Sequence, residues 1–557
     1  HMSSGRVPYS RPQKVAESGG TRPGIRAADS APPRPMQSSE TLLEDGQAKP
    51  NPVRSASPDT SSSEVDPSRA KRTKARDALI AGCVANFGVQ YNFTILAIAL
   101  LFLEAAHGGD GVWYTDDLWA GQAGAVLKSS SFVGAMLGMC TMGYLGDVIG
   151  RNSAFAVTSL LMVVFALLSG LVFAPEENGD QAMGMLLAAR FVLGIGIGGC
   201  YPLASSKGSE ECGSDNALQK NQAVGLIFFW QAVGDLFPYL IGMALAPLHH
   251  TEDPLGHIGQ FRVALCIGAL PPLVVLWYTY GQQDGRDTSQ IDHAALAKRT
   301  WSDQVRAGSK EPGAWNNFLA TSICWCFYDV AYYGSNQFTP KMTEQVFGDE
   351  SSIFNESWKG AVDMAVGIPA TLHALWLLRD WGTKRVQTRG HFAIAITAVL
   401  VACVWTPLTA DDASQAMAYV LFMVYLLFYY AVNWGAKMGC FVLPQEVYTS
   451  EFSGTFSGIA AAFGKFGAIV GIWTFEGLTP VIGLIPVMLI VAALATISGF
   501  ISQNCISDRL WEVQKQQMKA AREGAIAASI SSNAANEIAS PLHPGGGLDE
   551  EEPVAIN

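Results

Sequence analysis

Charge is scarce in this sequence. Only 15% of its 557 residues are Asp, Glu, Lys or Arg, where a soluble globular chain carries about 25%. Two long blocks, Ala78 to Leu103 and Ser153 to Ala174, contain no charged side chain. About 20 apolar residues cross a bilayer as a helix, so the deficit excludes an ordinary soluble domain. A surplus of positive charge is also missing: the net charge is −12, partly from the tail "LDEEE", which excludes nucleic acid as a partner. Most of the ten cysteines fall inside apolar runs, as packing residues do, and they form neither a disulfide framework nor a metal-ligand spacing. No nucleophile–base pair and no phosphate-cradling loop stands out, so an enzyme is disfavoured and no cofactor is expected. No secretory signal precedes the first long apolar run, which is itself of spanning length.

What is present is apolar: 49% of the residues are hydrophobic. Twelve runs read as membrane spans, at roughly 78–103, 119–145, 153–174, 182–206, 222–247, 261–281, 315–340, 360–378, 391–409, 416–443, 453–475 and 478–503. Lys and Arg gather on one side of these runs, in "RAKRTKAR" before the first, in 282–314 and around Lys384 and Arg385. The other side is acidic, with Asp116, Asp117 and "PEENGD". The positive-inside bias therefore places both termini in the cytosol. The expected layout is a disordered tail over 1–68, a six-helix half over 69–281, a polar central loop over 282–314, a second six-helix half over 315–504 and a mostly disordered tail over 505–557 that opens on the basic stretch "DRLWEVQKQQMKAAR". The tails are rich in Ser, Pro and Gly and cannot bury a core. Weak internal echoes, "GGCYPL" against "MGCFVLP", suggest a duplication. Two facing six-helix halves are a transporter architecture with the substrate at the midplane.

The seventh run, "TSICWCFYDVAYYGSNQF", holds a lone carboxylate, Asp329. Trp325, Asp329 and Tyr333 are spaced i, i+4, i+8 and so share one helix face. An ionisable group at the midplane costs several kcal/mol unless it meets water, a partner or a substrate, which marks Asp329 as functional; a structural ion pair within the bundle is the plainer alternative.

After the second run stands "GYLGDVIGRN", which resembles the G-x-L-x-D-x-x-G-R motif of the major facilitator superfamily. The resemblance implies that Asp147 and Arg151 pin a short cytosolic turn in one conformational state, with Gly143 and Gly150 permitting close approach. The fourth run, "GGCYPLASSKGSEE", resembles the G-G-D-Y-P-L-S signature of the phosphate:proton symporter family through Gly198, Gly199, Tyr201, Pro202, Leu203, Ser209 and Glu210. Further matches are Gln231 and Gly234 in M-Q-G-x-G, and Trp325, Asp329 and Tyr333 in W-x-x-x-D-x-x-x-Y. Asn433 and Gly435 match N-x-G, Pro444 and Glu446 match P-x-E, and Gly464, Lys465 and Gly467 match G-K-x-G-A. Carried over residue by residue, the resemblance implies a phosphate site of Tyr201, Gln231, Trp325, Asp329, Tyr333 and Lys465. Hydroxyls, indole and amide supply neutral donors, and lysine supplies a point charge.

Departures from that pattern are as informative. Val89 and Asn92 stand where the family has two acids, and Cys200 where it has a third. Lys437 replaces a phosphate-contacting Asn and joins the candidate set as a cation. Two charges have no family counterpart, Lys128 and Asp235. Lys128, near the outer end of its run, is expected to snorkel to water. Asp235, one turn beyond Gln231, either pairs with Lys437 or Lys465 or takes over proton coupling; Asp329 and Asp235 are the coupling candidates. The expected partners are phosphate or a related small anion, protons and the lipid bilayer, in a monomer or weak oligomer. The expected location is the plasma membrane, with an organelle membrane as alternative. A carrier of a phosphate ester and a weakly transporting phosphate sensor are the competing readings.

Overall fold

A computed structural model of the chain describes residues 67–106, 123–171, 179–212, 216–248, 254–280, 299–336, 352–409, 414–449 and 451–506, with a few isolated positions besides. Both expected tails fall almost wholly outside the described residues, and so does the basic stretch after Gln503. Among the described residues the regular structure is entirely helical.

The first half contains α1 (Pro67–Ala106), α2 (Ala123–Ile149), α3 (Arg151–Leu171), α4 (Gly179–Glu211), α5 (Ala217–Leu245), α6 (Pro254–Ile267) and α7 (Leu270–Thr279). A short helix, α8 (Trp301–Gly308), lies in the central connection. The second half contains α9 (Ala314–Ser335), α10 (Ile353–Trp381), α11 (Thr383–Leu408), α12 (Gln415–Asn433), α13 (Gly435–Val447), α14 (Ser453–Ile482) and α15 (Leu484–Cys505). The pairs α6/α7 and α12/α13 are each one span with a break. The first break falls at Gly268–Ala269, before Pro271 and Pro272, which cannot donate to a preceding turn. The second is Trp434, whose ψ of −136° leaves the helical region.

Eleven of these spans are long and apolar enough to cross a membrane on composition alone. The twelfth, α9, has 22 residues, about 33 Å at 1.5 Å per residue, and so has spanning length. Asn316, Asn317, Asp329 and its tyrosines depress its hydropathy. The described residues thus form twelve spans, and the chain is a multi-pass integral membrane protein. Helix α1 begins at Pro67, earlier than the apolar run suggests. Proline is preorganised for the first helical position, and the Lys, Arg and Ala that follow are good helix formers.

Packing in the first half depends on a glycine seam. A Cβ on Gly134 or Gly138 of α2 would strike the main-chain oxygens of Phe191 and Ile195, and one on Gly194 or Gly198 of α4 would strike those of Ser131 and Ala135. The two backbones therefore touch, as small-xxx-small pairs allow inside a bilayer. Contacts between the halves run along α2–α14 and α5–α10. The site lies between these two seams.

Candidate functional site

Helix α9 carries its polar face inward, and Trp325, Asp329 and Tyr333 all line one small cavity, with Tyr201 from α4, Gln231 from α5, Lys437 from α13 and Lys465 from α14. These are the seven substrate-site residues expected from the sequence, and the fold brings all of them together. The cavity measures about 20 Å³, room for roughly one water.

Two ion pairs dominate it. Lys465 Nζ donates to Asp329 Oδ2 at 3.2 Å and to the Tyr333 hydroxyl at 2.8 Å. The same ammonium sits 4.5 Å from the Tyr333 ring centre and 5.4–5.5 Å from those of Phe93, Phe132 and Tyr201, within cation–π range. Lys437 Nζ donates to Asp235 Oδ2 at 3.2 Å, to Asn433 Oδ1 at 2.9 Å and to the Tyr332 hydroxyl at 3.3 Å. Asp235 also accepts from Thr94 Oγ1 at 3.1 Å and from the Tyr332 hydroxyl at 3.3 Å. All four charged side chains are buried, and in such a setting each needs its partner. The first pair lies within the second half; the second pair joins the halves. Of the alternatives open for Asp235, the partner is Lys437.

The remaining members are held by packing. Gln231 Nε2 donates to Asn86 Oδ1 at 2.6 Å, bridging α5 to α1. The Trp325 indole lies against Gly464, where a Cβ would overlap it, with its ring centre 6.4 Å from that of Tyr201.

A larger cavity of about 260 Å³ extends from Gln90, Asp235, Tyr332 and Tyr333 toward the end of the bundle opposite the basic connections, where Lys128 and Lys359 line it. Lys128 is half-buried along this cavity, near the outer end of its run.

The expected gating motif lies at the basic end and is closed. Asp147 accepts from the Thr455 N–H at 2.7 Å and the Thr455 hydroxyl at 2.5 Å, crossing from the first half to α14. Arg151 pairs with Asp147 at 2.5 Å and Glu210 at 3.0 Å. Gly143 lies against Gly454, and Gly150 has φ 105°, a value side chains other than glycine's rarely adopt. More links cross nearby: Gln445 Nε2 donates to Ser205 Oγ at 2.9 Å, and Asn221 Nδ2 to Glu446 Oε2 at 2.9 Å. Helix α8 straps the same end. Trp301 Nε1 donates to the Cys140 carbonyl at 3.2 Å, and Gln304 Nε2 to that of Glu451 at 2.8 Å.

Sequence reading missed Asn86, Gln90, Thr94, Tyr328 and Tyr332. Tyr332 carried a usable signal, since it stands three residues after Asp329 and therefore on a neighbouring part of the same face. Thr94 carried none, because a lone threonine in an apolar run usually bonds its own helix.

Comparison with known proteins bears on the fold and the family. The chain is 31% identical over 414 residues to the inorganic phosphate transporter PT2 of Toxoplasma gondii, covering 74% of this chain and 69% of that one. It is 26% identical over 404 residues to the low affinity inorganic phosphate transporter 4 of Lotus japonicus, covering 63% and 73%. Among solved structures, the proton:xylose symporter XylE bound to 6-bromo-6-deoxy-D-glucose superposes with TM-score 0.64 at 14% identity, over 79% of this chain and 97% of that one. The family model of the Major Facilitator Superfamily matches residues 82–472. With the paired halves, the closed Asp147–Arg151 turn and the buried site between them, the chain belongs to the Major Facilitator Superfamily.

Proposed function

We propose that this protein is a secondary transporter that moves inorganic phosphate by alternating access. The observation that carries the reading is the convergence of seven donor and charged side chains from α4, α5, α9, α13 and α14 on one cavity between the halves. Lysines supply the charge for an oxyanion, and Tyr201, Tyr333, Trp325 and Gln231 supply neutral donors. The names of the two relatives agree with that chemistry. The Asp147–Thr455 closure at the basic end, with the cavity at the far end, fits a carrier loaded from outside, the basic connections facing the cytosol. Asp329 and Asp235 are the groups placed to carry a proton with the substrate. The plasma membrane is the proposed location, and a monomer suffices because the site lies within one chain.

A second reading, transport of a phosphate ester, is favoured by one feature: Lys437 adds a cation beside a 260 Å³ cavity that could take an organic group. Uptake of labelled phosphate into proteoliposomes, with and without an imposed pH gradient, tests both. Accumulation that follows the gradient supports proton-coupled phosphate transport. Uptake that ignores it removes the proton. Competition by phosphate esters without phosphate uptake replaces the first reading by the second.

A further inference from the structure

The Asp235–Lys437 pair separates two cavities. Asp235 lines the larger one and Lys437 the small central one, while Gln90, Tyr332 and Tyr333 border both. An anion passing from the larger cavity to the central residues passes beside this pair, between the residues that line both cavities. The pair is built from both halves, with Asp235 on α5 and Lys437 in the first turn of α13, just past the break at Trp434. The other partners of Lys437, Asn433 Oδ1 and the Tyr332 hydroxyl, are neutral. Asp235 is thus the carboxylate that neutralises it.

We propose that Asp235 and Lys437 form a charge-exchange gate: Asp235 occupies Lys437 while the carrier is empty, and an entering oxyanion opens the central cavity by taking Lys437 from it. The proposal rests on the phosphate reading above. A carboxylate and a phosphate oxygen accept from an ammonium in the same way, so one can replace the other at Lys437 without leaving a buried cation bare. Once released, Asp235 keeps its bonds from Thr94 and the Tyr332 hydroxyl, which offset part of the cost of leaving a buried carboxylate without its cation. Until the lysine is surrendered, the carboxylate facing the larger cavity repels anions too weakly held to displace it. The gate therefore also selects.

Two measurements test this. The first is a double-mutant cycle on inorganic phosphate binding to the purified full chain. Lys437→Asn is expected to weaken binding by about tenfold or more, because Asp235 then faces the anion uncompensated. Asp235→Asn is expected to retain or tighten binding while slowing turnover, and the double variant to return within about threefold of the parent. Weakening by Asp235→Asn equal to that of Lys437→Asn overturns the proposal, as does a double variant no better than Lys437→Asn. The exchanged pair Asp235→Lys with Lys437→Asp keeps the ion pair for folding. Retained phosphate affinity there would mean that the pair is only structural. The second measurement does not use phosphate. Tyr328 lines the central cavity alone, so Tyr328→Cys reports entry of a membrane-impermeant methanethiosulfonate from the outer face. Adding Asp235→Asn should speed labelling by about fivefold or more, as a lost ion pair of roughly 1 kcal/mol would; unchanged labelling overturns the gate. If the parent takes up no phosphate, the proposed function falls while the labelling result still decides whether this pair closes the cavity.

Discussion

The basic-end closure and the mid-bilayer site each bury an aspartate against a cation, but they use different cations. At the closure Arg151 forks between Asp147 and Glu210 at 2.5 and 3.0 Å, while Asp147 spends its other oxygen on the Thr455 N–H and hydroxyl. Guanidinium geometry is planar and directional, and every oxygen has a fixed donor. At the midplane the cations are lysines, each 3.2 Å from its carboxylate and surrounded by hydroxyls and ring faces. An ammonium on a flexible stem can move from one oxygen to another with little penalty. Arginine thus stands where planar geometry fixes the contact, and lysine where the geometry lets the cation change partners.

That contrast can be broken by experiment. The largest effect should come from the closure. Arg151→Ala leaves Asp147 buried without its cation, a loss of about 3–5 kcal/mol. Transport should nearly vanish, with the basic end opening to thiol reagents in labelling assays; Arg151→Lys should recover only part, because it loses the fork. Equal activity of Arg151→Lys and the parent would show that charge alone closes this end.

At the midplane, Lys465→Ala should weaken phosphate binding by about 1–3 kcal/mol, or five- to a hundredfold. Lys465→Arg should also impair it, since the larger head must enter a cavity of about 20 Å³. Calorimetric titration distinguishes these outcomes, and normal affinity in Lys465→Ala would remove this lysine from the site. Asp329→Asn keeps shape and hydrogen bonding, so exchange of labelled phosphate should persist while accumulation driven by a pH gradient is lost. Accumulation that survives would pass the coupling role to Asp235.

Gly150→Val should lower thermal stability and transport together, by about 1–3 kcal/mol of backbone strain. Its φ of 105° is foreign to a β-branched residue. Unchanged melting with lost transport would mean that the strain acts on the motion alone. The smallest effect concerns α8. Thr300 and Asp303 form a capping box at its start, and the Thr300 donors hold the Asp303 carboxyl below the usual aspartate range. A lowered value stabilises the folded form above the ordinary aspartate pKa, and the contribution disappears as pH falls through the lowered one. Protection factors of the Asp303 and Gln304 amides, with the intrinsic pH dependence of exchange divided out, should be flat between about pH 6 and 8 and fall only in acid below about 4.

Much of this was legible in the sequence because the bilayer is an unforgiving solvent. Spanning length and apolarity located the helices, and the i, i+4, i+8 spacing of Trp325, Asp329 and Tyr333 found the polar face of α9. The sequence narrowed the partner of Asp235 to Lys437 or Lys465 but could not choose between them, because α5 meets α13 across the two halves. Nor could the side chain of Lys128 be placed. Its height in the run was readable, but its rotation about α2 is set by packing against α14, which one sequence does not reveal.

The glycine seam between α2 and α4 has a mechanical consequence. Where backbone meets backbone there is no layer of side chains to act as a bearing, so the two helices cannot slide past one another. They form a single lever arm. Asp147 near the end of α2 and Glu210 at the end of α4 must travel together, and Arg151, at the start of α3, links the two through the stroke. The load falls on the links that join the two levers, Asp147 to Thr455, Gln445 to Ser205 and Asn221 to Glu446. Each stroke of the machine is a matter of releasing those few latches.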